Sequence, residues 1–140
     1  QLQFKNSGFA SEVYIRIKKK YLNSVLLMAG VKPIFRINRL NKLYYLLNNN
    51  FLNKFRKDRI MIHKRFSQYE TYLLFTASDV IFLPHNEGLT TGNIPMAATL
   101  GKPFVYPDIG VFAEQAEDCF AKKYECGNVN DAVNAIDSIL

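Results

Sequence analysis

The sequence predicts an α/β fold in which a parallel sheet carries helices on both faces, the open doubly wound arrangement. Three observations carry this prediction. Short apolar runs alternate five times with stretches of helical periodicity. The runs have the length and continuous hydrophobicity of strands buried on both faces. Whole helices separate them, which is what parallel crossovers require. The 140 residues suffice for one domain with a real core and are too few for two ordinary domains. Nearly half the chain is apolar and 14% is aromatic, which excludes a disordered class.

The elements follow in order. Ala10, Val13, Tyr14, Ile17 and Tyr21 recur at helical intervals, and Lys18 to Lys20 occupy the last turn, where positive charge suits the helix dipole. "SVLLMAG" (24–30) is an apolar run stopped by glycine and predicts a strand. A connection with Pro33 leads to a second helix lined by Leu40, Leu43, Tyr44, Leu47 and Phe51, weakened or ended by Asn48 to Asn50. "RIMIHKRF" (59–66) predicts the next strand. Ser67 followed by Glu70 forms a capping box for a helix to about Ser78, with Tyr69, Tyr72, Leu73 and Ala77 facing inward. "DVIFLP" (79–84) is a strand, and 91–100 a helix that packs Ile94, Ala97 and Ala98. "PFVYP" (103–107) is a short strand, "GVFAEQAED" a loop with one or two helical turns, and "CFAKKYE" (119–125) a weaker strand. Asn128 or Asn130 caps a last helix with Ala132, Ala135, Ile136, Ile139 and Leu140 toward the core. Because the chain opens on a helix where such domains open on a strand, a first strand is expected upstream.

Charge is unevenly distributed. Residues 1–65 carry a net +13 and residues 66–140 a net −7. Such a basic block can meet nucleic acid or an anionic membrane, but solvated helix faces account for it more simply. Tyr14, Tyr21, Tyr44 and Tyr45 sit among the cations at core spacing, not as a base-stacking platform, so nucleic acid is not the expected partner. Cys119 and Cys126 lack metal-ligand spacing and nearby histidines; a reduced pair in a cytoplasmic protein is expected, with no zinc. No apolar run approaches the ~20 residues of a membrane span, and no signal-peptide pattern opens the chain. Peripheral association at the inner face of a membrane remains open.

The most informative stretch is "HNEGLTTGNIPMAATLGKP" (85–103). In open parallel sheets, ligands bind beyond the carboxyl ends of strands, in loops leading into helices. His85 to Thr91 is such a loop. Gly88 and Gly92 permit close backbone approach, and Thr90, Thr91, Gly92 and Asn93 set free amides and hydroxyls at a helix start, where an anion is favoured. Pro95 suits a first turn. This chemistry points to a phosphate or diphosphate. Glu87 does not suit a phosphate, but a carboxylate beside one can accept hydrogen bonds from sugar hydroxyls. An ordinary N-cap at Thr90 or Thr91, with a solvated Glu87, accounts for the local pattern about as well.

The run "ASDVIFLPHNEGLTTGNIPMAATLGKPFVYPDIG" resembles the C-terminal, donor-binding half of the glycosyltransferase superfamily with two Rossmann-like domains, the GT-B fold. Ala77, Asp79, Pro84, Glu87, Gly88, Gly101, Lys102, Pro103, Asp108 and Gly110 match its pattern in order. The segments "IKKKYLNSVLLMAG" and "RIMIHKRFSQYETYLLFTAS" look like its preceding helix and strands, so the resemblance covers nearly the whole chain. It implies a Rossmann-like parallel sheet with helices on both faces, one half of a GT-B fold, with residues 1–140 forming a single donor-binding domain without its first strand or the N-terminal acceptor domain.

The resemblance further implies a cytoplasmic hexosyltransferase of carbohydrate biosynthesis that binds a nucleotide-sugar, needs no metal or cofactor, and is inactive as this segment alone, so no catalytic residue is assigned. Glu87 would contact the donor sugar. Gly88, Leu89, Thr90, Thr91, Gly92 and Asn93 would meet sugar and diphosphate, and Arg65 and Phe66 would border the base. Many members carry a second glutamate eight residues after the first, for ribose; Pro95 stands there, or Met96 if Gly101 sets the register. The "TTGN" version resembles a branch with Thr-Ser-Gly that lacks it too. A non-catalytic basic nucleic-acid or nucleotide-binding module and a related sugar-nucleotide enzyme such as an epimerase are the alternatives.

Overall fold

A computed structural model describes residues 6–30, 58–87, 91–117 and 119–140. The second helix expected around 40–51, the connection at Pro33, and Gly88, Leu89 and Thr90 lie outside the described residues. The chain divides into two compact units, Asn23–Phe66 and a discontinuous one formed by Gln1–Leu22 with Ser67–Leu140.

All five expected strands form, and their pairings are parallel. In the smaller unit, β1 (Leu26–Ala29) pairs with β2 (Arg59–Ile62), Leu26 opposite Arg59 and Ala29 opposite Ile62. Hydrogen bonds from Leu26 N to Asp58 O and from Gly30 N to Ile62 O extend the ladder at both ends. In the larger unit, β3 (Ile81–Phe82), β4 (Phe104–Pro107) and β5 (Ala121–Tyr124) form a sheet in that order. The described strands thus form a pair and a trio rather than one five-stranded ladder.

The trio is covered on both faces. α1 (Ser7–Lys20) and α5 (Val129–Asp137) share one core with β4 and β5: Phe9, Val13, Ile17, Val105, Tyr124, Ala132 and Ile136. α3 (Asn93–Thr99) and α4 (Phe112–Gln115) share the other with β3 and β4: Leu83, Ile94, Ala97, Phe104, Tyr106, Phe112 and Ala116. β4 shows why its sequence reads as a continuous apolar run. Successive side chains point to opposite faces, so Phe104 and Tyr106 enter one core and Val105 the other.

Local signals explain the helix boundaries. Asn6, before the first predicted position, caps α1 by accepting from Phe9 N at 2.9 Å. The box that opens α2 (Gln68–Ala77) is complete, with Glu70 N donating to Ser67 Oγ and Ser67 N to Glu70 Oε2. Asn128, not Asn130, caps α5. α3 stops in a left-handed glycine turn: Gly101 has φ 60°, its N–H donates to Ala98 O, and Lys102 N donates to Ala97 O. Lys102 Nζ then donates to Ser78 O at the end of α2, and Pro103 O accepts from Ile81 N. The Gly-Lys-Pro run therefore closes one helix, covers a carbonyl of another and starts a ladder.

Three packing expectations are corrected. Tyr69, Tyr72, Leu73 and Ala77 do not face inward on α2; Tyr69 is 69% exposed, and Phe75 is the α2 residue packed against the core. Its apolar residues surround the helix, so periodicity selects no single face. On α3 the buried stripe is narrower than expected, Ile94 and Ala97 without Ala98. Leu140 lies beyond the last turn of α5 and is exposed.

The α1–α5 contact also answers part of the charge question. Lys20 Nζ pairs with Asp137 at 2.5 Å, Tyr21 Oη donates to the same carboxylate at 2.7 Å, and Arg16 bonds Asn130. The Lys20 ammonium and Tyr21 hydroxyl hold the Asp137 carboxyl below the usual carboxylate range. These basic residues join two helices of one core.

Candidate functional site

β3 ends at Phe82, and Leu83 to Glu87 carry the chain beyond the carboxyl end of the trio. Leu83 is buried and continues the ladder by donating to Val105 O. Pro84 ends regular pairing. His85 is buried edge-on against Phe112, with ring centroids 5.4 Å apart. Asn86 and Glu87 are exposed. The run from apolar strand to acidic loop thus reflects two burial states: two anchored residues, then two that face solvent.

The ladder contains a substitution of donors. In a parallel pair with Ile81 opposite Phe104, the rung after Leu83 N to Val105 O would run from residue 107 N to Leu83 O. Residue 107 is proline and has no N–H. Tyr124 Oη, from β5, donates to Leu83 O at 2.9 Å instead. Burial pushes the Tyr124 hydroxyl well above its ordinary range, so it stays a protonated donor.

The α3 end of the site is described from Thr91 onward. Thr91 N donates to Gln115 Oε1 at 3.4 Å and Asn93 N to Thr91 Oγ1 at 3.3 Å. The free amides expected at Thr91 and Asn93 are therefore corrected: both hold internal partners. Both bonds are long for N–H donors. Gly92 is exposed, and Pro95 supplies no donor, being the third residue of the helix. Pro95 and Met96, at the positions where the resemblance sets a second glutamate in many members, line a cavity of about 410 Å³ with Tyr72, Gly92, Thr99 and Leu100.

The start of α1 belongs to the same region. Asn6 N donates to Pro84 O at 2.8 Å, and Asn6 Nδ2 donates to Asn86 Oδ1 at 3.1 Å. Cys126, just after β5, places Sγ 3.7 Å from His85 O and from Asn86 O. A second cavity of about 440 Å³, lined by Asp108, Lys123, Tyr124, Glu125, Cys126 and Asp131, opens at the ends of β4 and β5. Lys123 Nζ pairs there with Asp108 at 2.9 Å.

Of the expected site residues, Glu87, Thr91, Gly92 and Asn93 stand in one loop-to-helix connection of the larger unit. Arg65 and Phe66 belong to the smaller unit; Arg65 is exposed, and Phe66 is half-buried with Lys64 Nζ 5.2 Å from its ring centroid. Sequence reading missed Asn6, Gln115 and Cys126. Asn6 carries a capping signal before "SG" that would have placed the helix start earlier, but nothing local ties it to a residue eighty positions away. Among the described residues no group of three or more His, Cys, Asp or Glu could hold a metal ion, and no helix is long and apolar enough to cross a membrane. No family model and no curated protein sequence matches the chain.

Proposed function

We propose that this chain is the donor-binding half of a GT-B glycosyltransferase, taking a nucleotide-sugar whose glycosyl group passes to an acceptor held by a further domain. The observation that carries the reading is the place of Glu87: on an exposed loop beyond the carboxyl end of a parallel strand, leading into a helix of small residues. The strand pairings support it. In the doubly wound order 3-2-1-4-5-6, strands two and three pair, and strands four to six form a row. The pair β1–β2 and the row β3–β4–β5 are compatible with those two sets.

In this reading Glu87 accepts hydrogen bonds from donor-sugar hydroxyls. The Thr91 hydroxyl, which accepts from Asn93 N, still has its own proton to donate to a diphosphate oxygen. Amides at the start of α3, once released from Gln115 and Thr91, meet the charge that develops on the departing nucleoside diphosphate. The Pro95–Met96 surface leaves ribose to other groups. No metal is called on, and the working protein is cytoplasmic, with peripheral membrane association compatible with its basic first half.

The test is a thermal-shift and calorimetric panel of UDP, GDP, ADP and CMP with their sugar conjugates, on wild type and Glu87→Ala. Loss of one charged hydrogen bond, worth about 1.5–3 kcal/mol, should weaken the cognate sugar conjugate roughly ten- to a hundredfold and leave the bare diphosphate unchanged. Equal losses for both would make Glu87 a structural residue. Steeply salt-dependent binding of generic DNA or RNA, with no nucleotide binding, would favour the basic module instead.

A further inference from the structure

The residues that present Glu87 are held by groups from two distant parts of the chain. Four consecutive carbonyls are engaged: Leu83 O by Tyr124 Oη, Pro84 O by Asn6 N, and His85 O and Asn86 O by Cys126 Sγ, a weak donor shared between them. The Asn86 side chain is held as well, by Asn6 Nδ2. The two ends of the Asn6 amide have separate tasks, since Oδ1 caps α1 by accepting from Phe9 N. Turning the amide over would break both bonds. The direction of the loop is thus set by the start of α1 and the end of β5, neither adjacent to it in sequence.

We propose that Asn6 and Cys126 are positioning residues for Glu87, clamping residues 83–86 so that its carboxylate meets the donor sugar without first having to be ordered. The proposal rests on the reading of Glu87 given above. A loop that must be ordered on binding loses affinity to that cost, whereas a held loop does not. Neither residue touches the ligand, so their removal acts on the sugar contact alone and leaves the diphosphate contacts at α3 in place.

Asn6→Ser separates the two tasks, because serine caps a helix about as well as asparagine, but its single oxygen at Phe9 N does not also stand where Nδ2 meets Asn86. Cys126→Ala removes the thiol donor, and Cys126→Ser retains a donor in a shorter side chain. Hydrogen exchange at the His85, Asn86 and Glu87 amides is expected to quicken about three- to tenfold in Asn6→Ser and Cys126→Ala, and less in Cys126→Ser. Unchanged exchange overturns the clamp. Nucleotide-sugar binding is expected to weaken about two- to tenfold in the same variants, with the bare nucleoside diphosphate within twofold. Equal losses for both ligands, or none for either, overturn the positioning role. If wild type binds the sugar conjugate no more tightly than the diphosphate, the Glu87 reading itself fails, and exchange then decides the clamp by itself.

Discussion

The Tyr124 hydroxyl replaces an N–H that Pro107 cannot supply, and Tyr124→Phe isolates that one bond. Phenylalanine keeps the ring between Phe9 and Phe82, whose centroids lie 5.8 and 5.6 Å away. Only the donor to Leu83 O is lost, at a place where Leu83 is 2% exposed and Tyr124 1%. A buried acceptor left without its partner costs about 1–3 kcal/mol. With a urea dependence of about 2 kcal/mol per molar for a small domain, the midpoint should fall by roughly 0.5–1.5 M, followed by far-UV circular dichroism. Pro107→Val in the same background restores an N–H on the rung and should recover about half of the loss. Because the folded hydroxyl titrates above its ordinary value, the unfolded chain loses this proton first as pH rises. The Tyr124 contribution is therefore full below about pH 10 and lost above it, and Tyr124→Phe should show a shallower decline than wild type, the rest coming from other raised groups such as Tyr21 and Tyr106. A midpoint within 0.2 M of wild type would refute the replaced-rung reasoning.

Other perturbations probe other links. Ser67→Ala removes half of a complete capping box and should cost about 0.5–2 kcal/mol in urea denaturation. Ala97→Leu forces a larger side chain into a site with no exposed surface and should cost about 1–3 kcal/mol, whereas Ala98→Leu, one position on and exposed, should stay within about 0.5 kcal/mol. The depressed Asp137 carboxyl contributes stability above the unfolded carboxylate value that is lost as pH falls through its lower folded value. Wild type should exceed Asp137→Asn in stability above about pH 4 and converge with it as pH falls further, and added salt should reduce the difference.

What was legible in the sequence follows from the range of the forces involved. The strands at "SVLLMAG", "RIMI" and "PFVYP" and the box at Ser67–Glu70 announce themselves within a few residues, because strand burial and helix capping are local. The inward face of α2 was not legible, since Tyr69, Tyr72, Leu73, Leu74 and Phe75 leave no polar side to orient the helix. Glu87 could be placed at a strand end from its neighbours alone. Its surroundings could not. Asn6 against Asn86, Tyr124 against Leu83 and Gln115 against Thr91 are set by which elements lie side by side in the sheet. The amides at Thr91 and Asn93 read as free because the sequence does not display the acceptors that occupy them.

The discontinuity of the larger unit bears on how the chain is made. Phe9, Val13 and Ile17 leave the ribosome long before their partners Tyr124, Ala132 and Ile136. During synthesis, the apolar side of α1 lacks its full native cover until β5 and α5 have been made. The contacts it finally makes are among the most distant in sequence, which slows folding relative to local packing. In the interval that apolar side is left exposed, and α5 is the helix that covers it.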